Sequence, residues 1–175
     1  MQHNLSFSDI LASEHSRRAT DIILSEINRD PKRMDDLMDC FFSENLRICQ
    51  RAAWPVGDVG EKHPSLILPY LPKLIANLHA PKHDAIIRNT VRTWQFMPIP
   101  EAFQGEIFGL CFNYLGDPKI PIAIRAFSMT VCANICKEVP DLKDELILAI
   151  EDQLENGSSG IINRGQKIIS LLKIL

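Results

Sequence analysis

The sequence predicts an all-α protein, a right-handed α-solenoid of antiparallel helix pairs, and three observations lead there. A short figure recurs in which an apolar residue and then a cation open an apolar helical run: Leu46-Arg47, Ile87-Arg88, Ile124-Arg125 and, weakened, Asn163-Arg164. These arginines are 41, 37 and 39 residues apart, the period of a two-helix repeat. Helical periodicity punctuated by Pro and Gly runs along the whole chain, with no alternating β-branched run bounded by hairpin turns. The expected connections are only a few residues long, which forces successive helices to pack antiparallel.

Nine helical segments are expected in order. The first covers residues 8–28, where Ile10, Leu11, Ala19, Ile22, Ile23 and Ile27 carry the apolar spacing and Asp30-Pro31 stops it. The second covers 31–42. The third, 44–60, holds Pro55 well inside its pattern, so a kink or an early end is expected there. The fourth, 64–79, is made irregular by Pro69 and Pro72. Five cleaner segments follow at 83–97, 100–115, 121–137, 141–155 and 159–174, with Pro98, Pro100, Pro118, Pro121 and Pro140 at their junctions. Gly116 and Gly157 sit where a helix end favours a left-handed residue. Residues 120–135 are apolar on nearly all sides, which predicts an inner helix covered by several neighbours.

Composition narrows the function. The 175 residues are 46% hydrophobic and 23% charged, ordinary values for a soluble globular chain of one-domain size. A net charge of −3 disfavours a general coat on nucleic acid. Cys40, Cys49, Cys111, Cys132 and Cys136 are an odd number without a Cys-x-x-Cys motif, so they read as reduced, buried small side chains. No cofactor or metal site is expected. His3, His15, His63, His79 and His83 lie at ends or junctions, and Pro81 breaks any alignment of His79 with His83. The start MQHNLSFSDI lacks the cationic and apolar parts of a signal peptide, and no run of about 18 apolar residues occurs, so a cytoplasmic location off the membrane is expected.

The stretch FNYLGDPKIPIAIRAFSMTVCANIC, 112–136, resembles the HEAT repeat: a helix end, a Gly-Asp-Pro turn, then a helix opened by an apolar-Arg pair. PKHDAIIRNTVRTWQFM at 81–97 and SENLRICQRAAWPVG at 43–57 supply two further copies. The resemblance runs over about residues 16–174 and implies one HEAT-like domain spanning 1–175. The chain also looks like short bacterial HEAT-like proteins, a likeness that carries no activity with it. In HEAT repeats the recurring arginine commonly serves structure, bonding to the inter-helix turn. Asp84, four residues before Arg88, and Glu44, three before Arg47, stand where local pairs of this kind form.

Charge is sided. Within 46–57, 85–97, 120–136 and 159–175 stand Arg47, Arg51, Arg88, Arg92, Arg125, Arg164, Lys167 and Lys173, and no Asp or Glu. The other layer carries Glu101, Glu106, Asp141, Asp144, Glu145, Glu151, Asp152 and Glu155. In a solenoid the second helices of the repeats line the concave face. Arg51, Arg92, Arg125 and Lys167, with Trp54 and Trp94 as aromatic anchors, are therefore the expected contact residues for an acidic or helical segment of a partner protein. The plainer reading makes the tryptophans core packing and the cations a solvated face.

Other classes carry less. In NGSSGIINRG, 156–165, only Gly157, Ser158 and Ser159 match the mobile loop of the fumarase superfamily, and a helix cap explains the serines. No nucleophile and base stand at catalytic spacing, so no enzyme is expected. HEAT-like DNA repair proteins hold DNA on a basic concave face, which makes binding of a nucleic-acid backbone the alternative. The apolar run from Ile168 to Leu175 is a candidate homodimer surface.

Overall fold

A computed structural model describes residues 6–81 and 83–175; His3 therefore lies outside the described residues. The secondary structure consists of α-helices and short 3₁₀ turns, with no strand among the described residues. The helices gather in two compact units, Met1–Met97 and Pro98–Leu175.

The first unit holds α1 (Phe7–Ser13), α2 (Arg17–Arg29), α3 (Met34–Phe41), α4 (Leu46–Lys62), α5 (Leu71–His79) and α6 (Asp84–Trp94). The single helix expected over 8–28 is two. Glu14 is extended, and the Ser16 side chain accepts a hydrogen bond from the Ala19 amide at 3.1 Å, so a new helix starts where the apolar spacing alone runs straight through. Pro55 does not end its helix early, since α4 is helical from Leu46 to Lys62. One missing backbone hydrogen bond forfeits about 1 kcal/mol. Burial of side chains such as Ile48, Val56 and Val59 contributes about 1.5–3 kcal/mol each, and that burial prevails. Pro64 and Pro69 fall in two 3₁₀ turns, Pro64–Leu66 and Leu68–Tyr70, and Pro72 in the first turn of α5.

Helix α4 lies at the centre of this unit and packs on α1, α2, α3 and α6. Its approach to α6 is the closest feature of the fold. A Cβ placed on Gly60 would stand 2.2 Å from Cγ2 of Thr93, and one on Gly57 would stand 3.1 Å from Oδ1 of Asn89. Contact positions rise together along both helices, from 57 against 89 to 60 against 93, so α4 and α6 run parallel. Equivalent helices of successive repeats are related in this way.

The second unit holds α7 (Glu101–Gly116), α8 (Ile122–Cys136), α9 (Lys143–Leu154) and α10 (Ser159–Leu172). Arg125 Nε donates to the Leu115 carbonyl and Cys132 Sγ to that of Phe108, so α7 and α8 are antiparallel. Gly165 faces Leu154 and Ile150, while Lys173 reaches Glu151, and α9 and α10 are antiparallel as well. Ile122 beside Gly160 and Thr130 bonded to Arg164 make α8 and α10 parallel. Helix α8, apolar all round, is accordingly covered by α7, α9 and α10.

Gly116 and Gly157 are not left-handed; no positive φ occurs among the described residues. Gly157 answers to space instead, because a Cβ there would stand 2.5 Å from the Gln153 carbonyl oxygen. All five cysteines are free and buried. Burial pushes the Cys40 and Cys136 thiols up to about 11, and that of Cys132 well up, which leaves them protonated and inert near neutrality.

Gly60→Ala is expected to lower stability by about 1–3 kcal/mol, because Thr93 belongs to a packed interface and yields little. Gly105→Ala in α7, where a Cβ meets nothing, should raise stability by about 0.5–1 kcal/mol. Urea unfolding of both variants beside the parent checks this; equal effects at the two positions would contradict the close approach of α4 and α6.

Candidate partner-binding groove

Because Gly57 and Gly60 bring the backbones of α4 and α6 together, the side chains flanking that seam form the walls of a groove. Gln50 and Trp54 line it from α4, Ala85, Arg88, Asn89 and Arg92 from α6, and His15 from the α1–α2 connection. Its volume is about 230 Å³. The spacing explains the convergence: 50 and 54 lie one turn apart on α4, and 85, 88, 89 and 92 follow one stripe of α6. The Trp54 indole is half-buried and meets the His15 ring edge-on at 5.6 Å.

The cations of this unit divide sharply. Arg51 Nη1 donates to the carbonyls of Leu11 at 2.7 Å and Ala12 at 3.1 Å, holding the last turn of α1. Arg92 Nη2 lies 2.7 Å from Glu61 Oε2 and 3.7 Å from Asp58 Oδ1. Asp58, with only 7% of its side chain exposed, also receives Arg17 Nη1 at 2.6 Å, and Arg17 pairs with Asp21 at 2.9 Å. The bond to Asp58 raises the Arg17 guanidinium further above its ordinary range. One buried carboxylate thus ties α2 and α6 to α4. Arg88 stands apart, exposed and without a hydrogen bond or ion pair among the described residues, and so does Arg47. The local pairs expected of Arg88 with Asp84 and Arg47 with Glu44 do not form.

Two expectations change here. The cationic layer is not free of acid, because α4 continues past Gly57 to Lys62 and brings Asp58 and Glu61 against Arg92. Trp94 has no exposed surface and sits in the core, so it offers nothing to a partner, and its indole N–H is left without a hydrogen bond. In the second unit Arg125 is buried against the Leu115 carbonyl and Gln153, as a brace, whereas Lys167 is exposed on α10. The structure therefore brings Trp54 and Arg92 together in one groove, turns Arg51 to the end of α1, and places Arg125 and Lys167 in the other unit. Gln50, His15 and Arg88 are groove residues that the sequence reading left out of its contact set. Helical spacing was the signal for two of them, since Gln50 precedes Trp54 and Arg88 precedes Arg92 by one turn.

Among the described residues no group of His, Cys, Asp and Glu is placed to hold a metal ion, and no helix is long and apolar enough to cross a membrane. A family model described as a HEAT repeat domain matches residues 7–170. The chain belongs to the HEAT repeat family. Comparison with curated proteins and comparison with solved structures gave no match. HEAT repeats generally mediate protein–protein interaction, and the family is typically a non-catalytic scaffold. In this HEAT repeat chain the braced arginines serve the stacking of helices, and Arg88 is the groove cation left over.

Asp58→Asn is expected to cost about 1–3 kcal/mol, because a buried acceptor for two guanidinium groups becomes a neutral amide. Arg47→Gln, which removes a cation with no partner, should change stability by less than about 0.5 kcal/mol. Chemical denaturation distinguishes the two, and an Asp58→Asn variant as stable as the parent would remove Asp58 as a brace.

Proposed function

We propose that this HEAT repeat protein is a noncatalytic interaction module that captures an acidic, helical segment of a partner protein in the α4–α6 groove. The observation that carries the reading is Arg88, an exposed guanidinium without a counter-charge, beside the half-buried indole of Trp54. A cation next to an aromatic wall is the composition of an interaction hot spot. Arg92 acts as a positioning group in the wall of the groove, and Arg51 holds the end of α1 beside the connection that carries His15. The family match runs through both units, which supports treating 1–175 as one working domain. Five free, buried thiols favour a reducing compartment, in keeping with a cytoplasmic site of action. The nucleic-acid alternative is weaker, because Arg92 is already compensated by carboxylates and the net charge is −3.

Arg88→Glu combined with Trp54→Ala should abolish capture of partners from native lysate while the circular dichroism spectrum and unfolding midpoint stay near those of the parent. Recovery of the same partners by the folded double variant would refute the groove as the contact surface. Retention of generic duplex DNA at about 50 mM salt, lost steeply as salt rises, would favour the nucleic-acid alternative instead.

A further inference from the structure

Resting on that reading, we infer that the α4–α6 groove recognises one carboxylate side chain, Asp or Glu, on a helix that also places an aliphatic residue one turn away against Trp54, and that it selects against phosphate. The charge inventory leads to this class. Two guanidinium groups line the groove, Arg88 and Arg92. Arg92 is bonded to Glu61 at 2.7 Å and shares Asp58 with Arg17, so its charge is compensated before any ligand arrives. Arg88, the other, has no counter-charge among the described residues. One free guanidinium fork matches one carboxylate in charge and in bidentate geometry. A phosphorylated side chain brings about −1.5 to −2 charges and three acceptor oxygens, and the second negative charge would face Glu61 and Asp58 behind Arg92 without a cation of its own.

The polar partners near Arg88 tell the same way. Asn89 spends one of its two amide hydrogens on the Ala85 carbonyl at 2.8 Å, and the Ala85 amide is held by His83 Nδ1 at 3.0 Å, so few donors beside Arg88 are left for a second or third phosphate oxygen. Gln50 and His15, both exposed in the groove and without a hydrogen bond among the described residues, are side-chain donors left beside Arg88, and one of them suffices for a carboxylate.

The apolar half of the ligand follows from helix packing. Helices α4 and α6 are parallel, and the register of 57 with 89 and 60 with 93 sets Trp54 opposite the turn that carries Arg88. The two recognition groups therefore face each other across one helix–helix spacing, about 8–10 Å between axes. On a ligand helix, side chains three or four residues apart stand about 5–6 Å apart at Cβ and reach both. An extended chain also puts residues two apart on one face, about 6–7 Å apart, but the helix offers the pair at the shorter spacing and already ordered. The ligand inferred here is an amphipathic acidic helix.

The test uses the full chain and the fluorescence of its tryptophans; Trp94 is fully buried, so Trp54 reports the groove. Four probes are titrated: a helical peptide with Glu four residues before Leu, its Glu→Gln counterpart, its phosphoserine counterpart, and inorganic phosphate. The Glu peptide should bind about tenfold more tightly than the Gln peptide, the worth of one charge-assisted contact, and more tightly than the phosphoserine peptide. Arg88→Gln should erase the Glu-over-Gln preference, and Arg88→Lys should restore part of it. Binding of the phosphoserine peptide as tight as that of the Glu peptide or tighter, displacement of the Glu peptide by millimolar phosphate, persistence of the preference in Arg88→Gln, or no response of Trp54 to the Glu peptide would each overturn the inference. If lysate partners are captured in an Arg88- and Trp54-dependent way while the Glu and Gln peptides bind alike, the interaction module stands and only the carboxylate specificity falls.

Discussion

The buried carboxylate of Asp58 is the constraint around which the first unit is organised. It is buried because α4 and α6 approach closely, and they approach closely because Gly57 and Gly60 present no Cβ to Asn89 and Thr93. A carboxylate taken out of water must find cationic donors or lose several kcal/mol. Arg17 and Arg92 supply them, one from α2 and one from α6. The sterics of two glycines and the solvation of one acid together determine which arginines can do anything else.

The second unit solves the same packing problem without a buried carboxylate. Gly165 lets α10 approach Ile150 and Leu154 of α9, and Arg125 crosses from α8 to a backbone carbonyl at the end of α7. Arg164 reaches the Thr130 hydroxyl on α8. The Leu115 carbonyl and Gln153, both neutral, hold the Arg125 guanidinium in place. The recurring arginine is a stacking device in the second unit, at Arg125 and Arg164, whereas Arg47 and Arg88 in the first unit have no partner among the described residues, and of these two Arg88 lines the groove. That is the physical route by which a structural repeat acquires a binding residue: the brace is released while neighbouring contacts keep the helices in register.

Much of the helix order was legible from spacing and breakers. The bounds expected near α7, α8 and α10 lie within one or two residues of those observed, because Pro, Gly and apolar periodicity agree there. The break between α1 and α2 was hidden because a capping serine competes locally with a periodicity that continues past it. The run of cations on α4 and α6 was legible, but the carboxylates that meet them were not. A helical period names the face of a guanidinium; it does not say which carboxylate of a neighbouring helix will meet it, and Asp58 and Glu61 lie just beyond the cationic stretch that ended at Gly57. The fate of the two tryptophans was within reach. Trp54 follows Arg51 by three residues and stays on its side of the helix, whereas Trp94 follows Arg92 by two, about 200° around the axis, and turns into the core.

Of the two arginines that line the groove, Arg92 is held as an internal brace and Arg88 waits for a ligand. Side-chain NMR of the guanidinium groups tests it directly, because rotation about the Nε–Cζ bond slows when the fork is held. Arg51, Arg92 and Arg125 should give resolved, slowly exchanging Nη signals in the free protein, and Arg88 an averaged signal that splits when an acidic helical peptide is added. An Arg88 signal already restricted in the free protein, or an Arg92 signal as mobile as that of Arg47, would contradict the account.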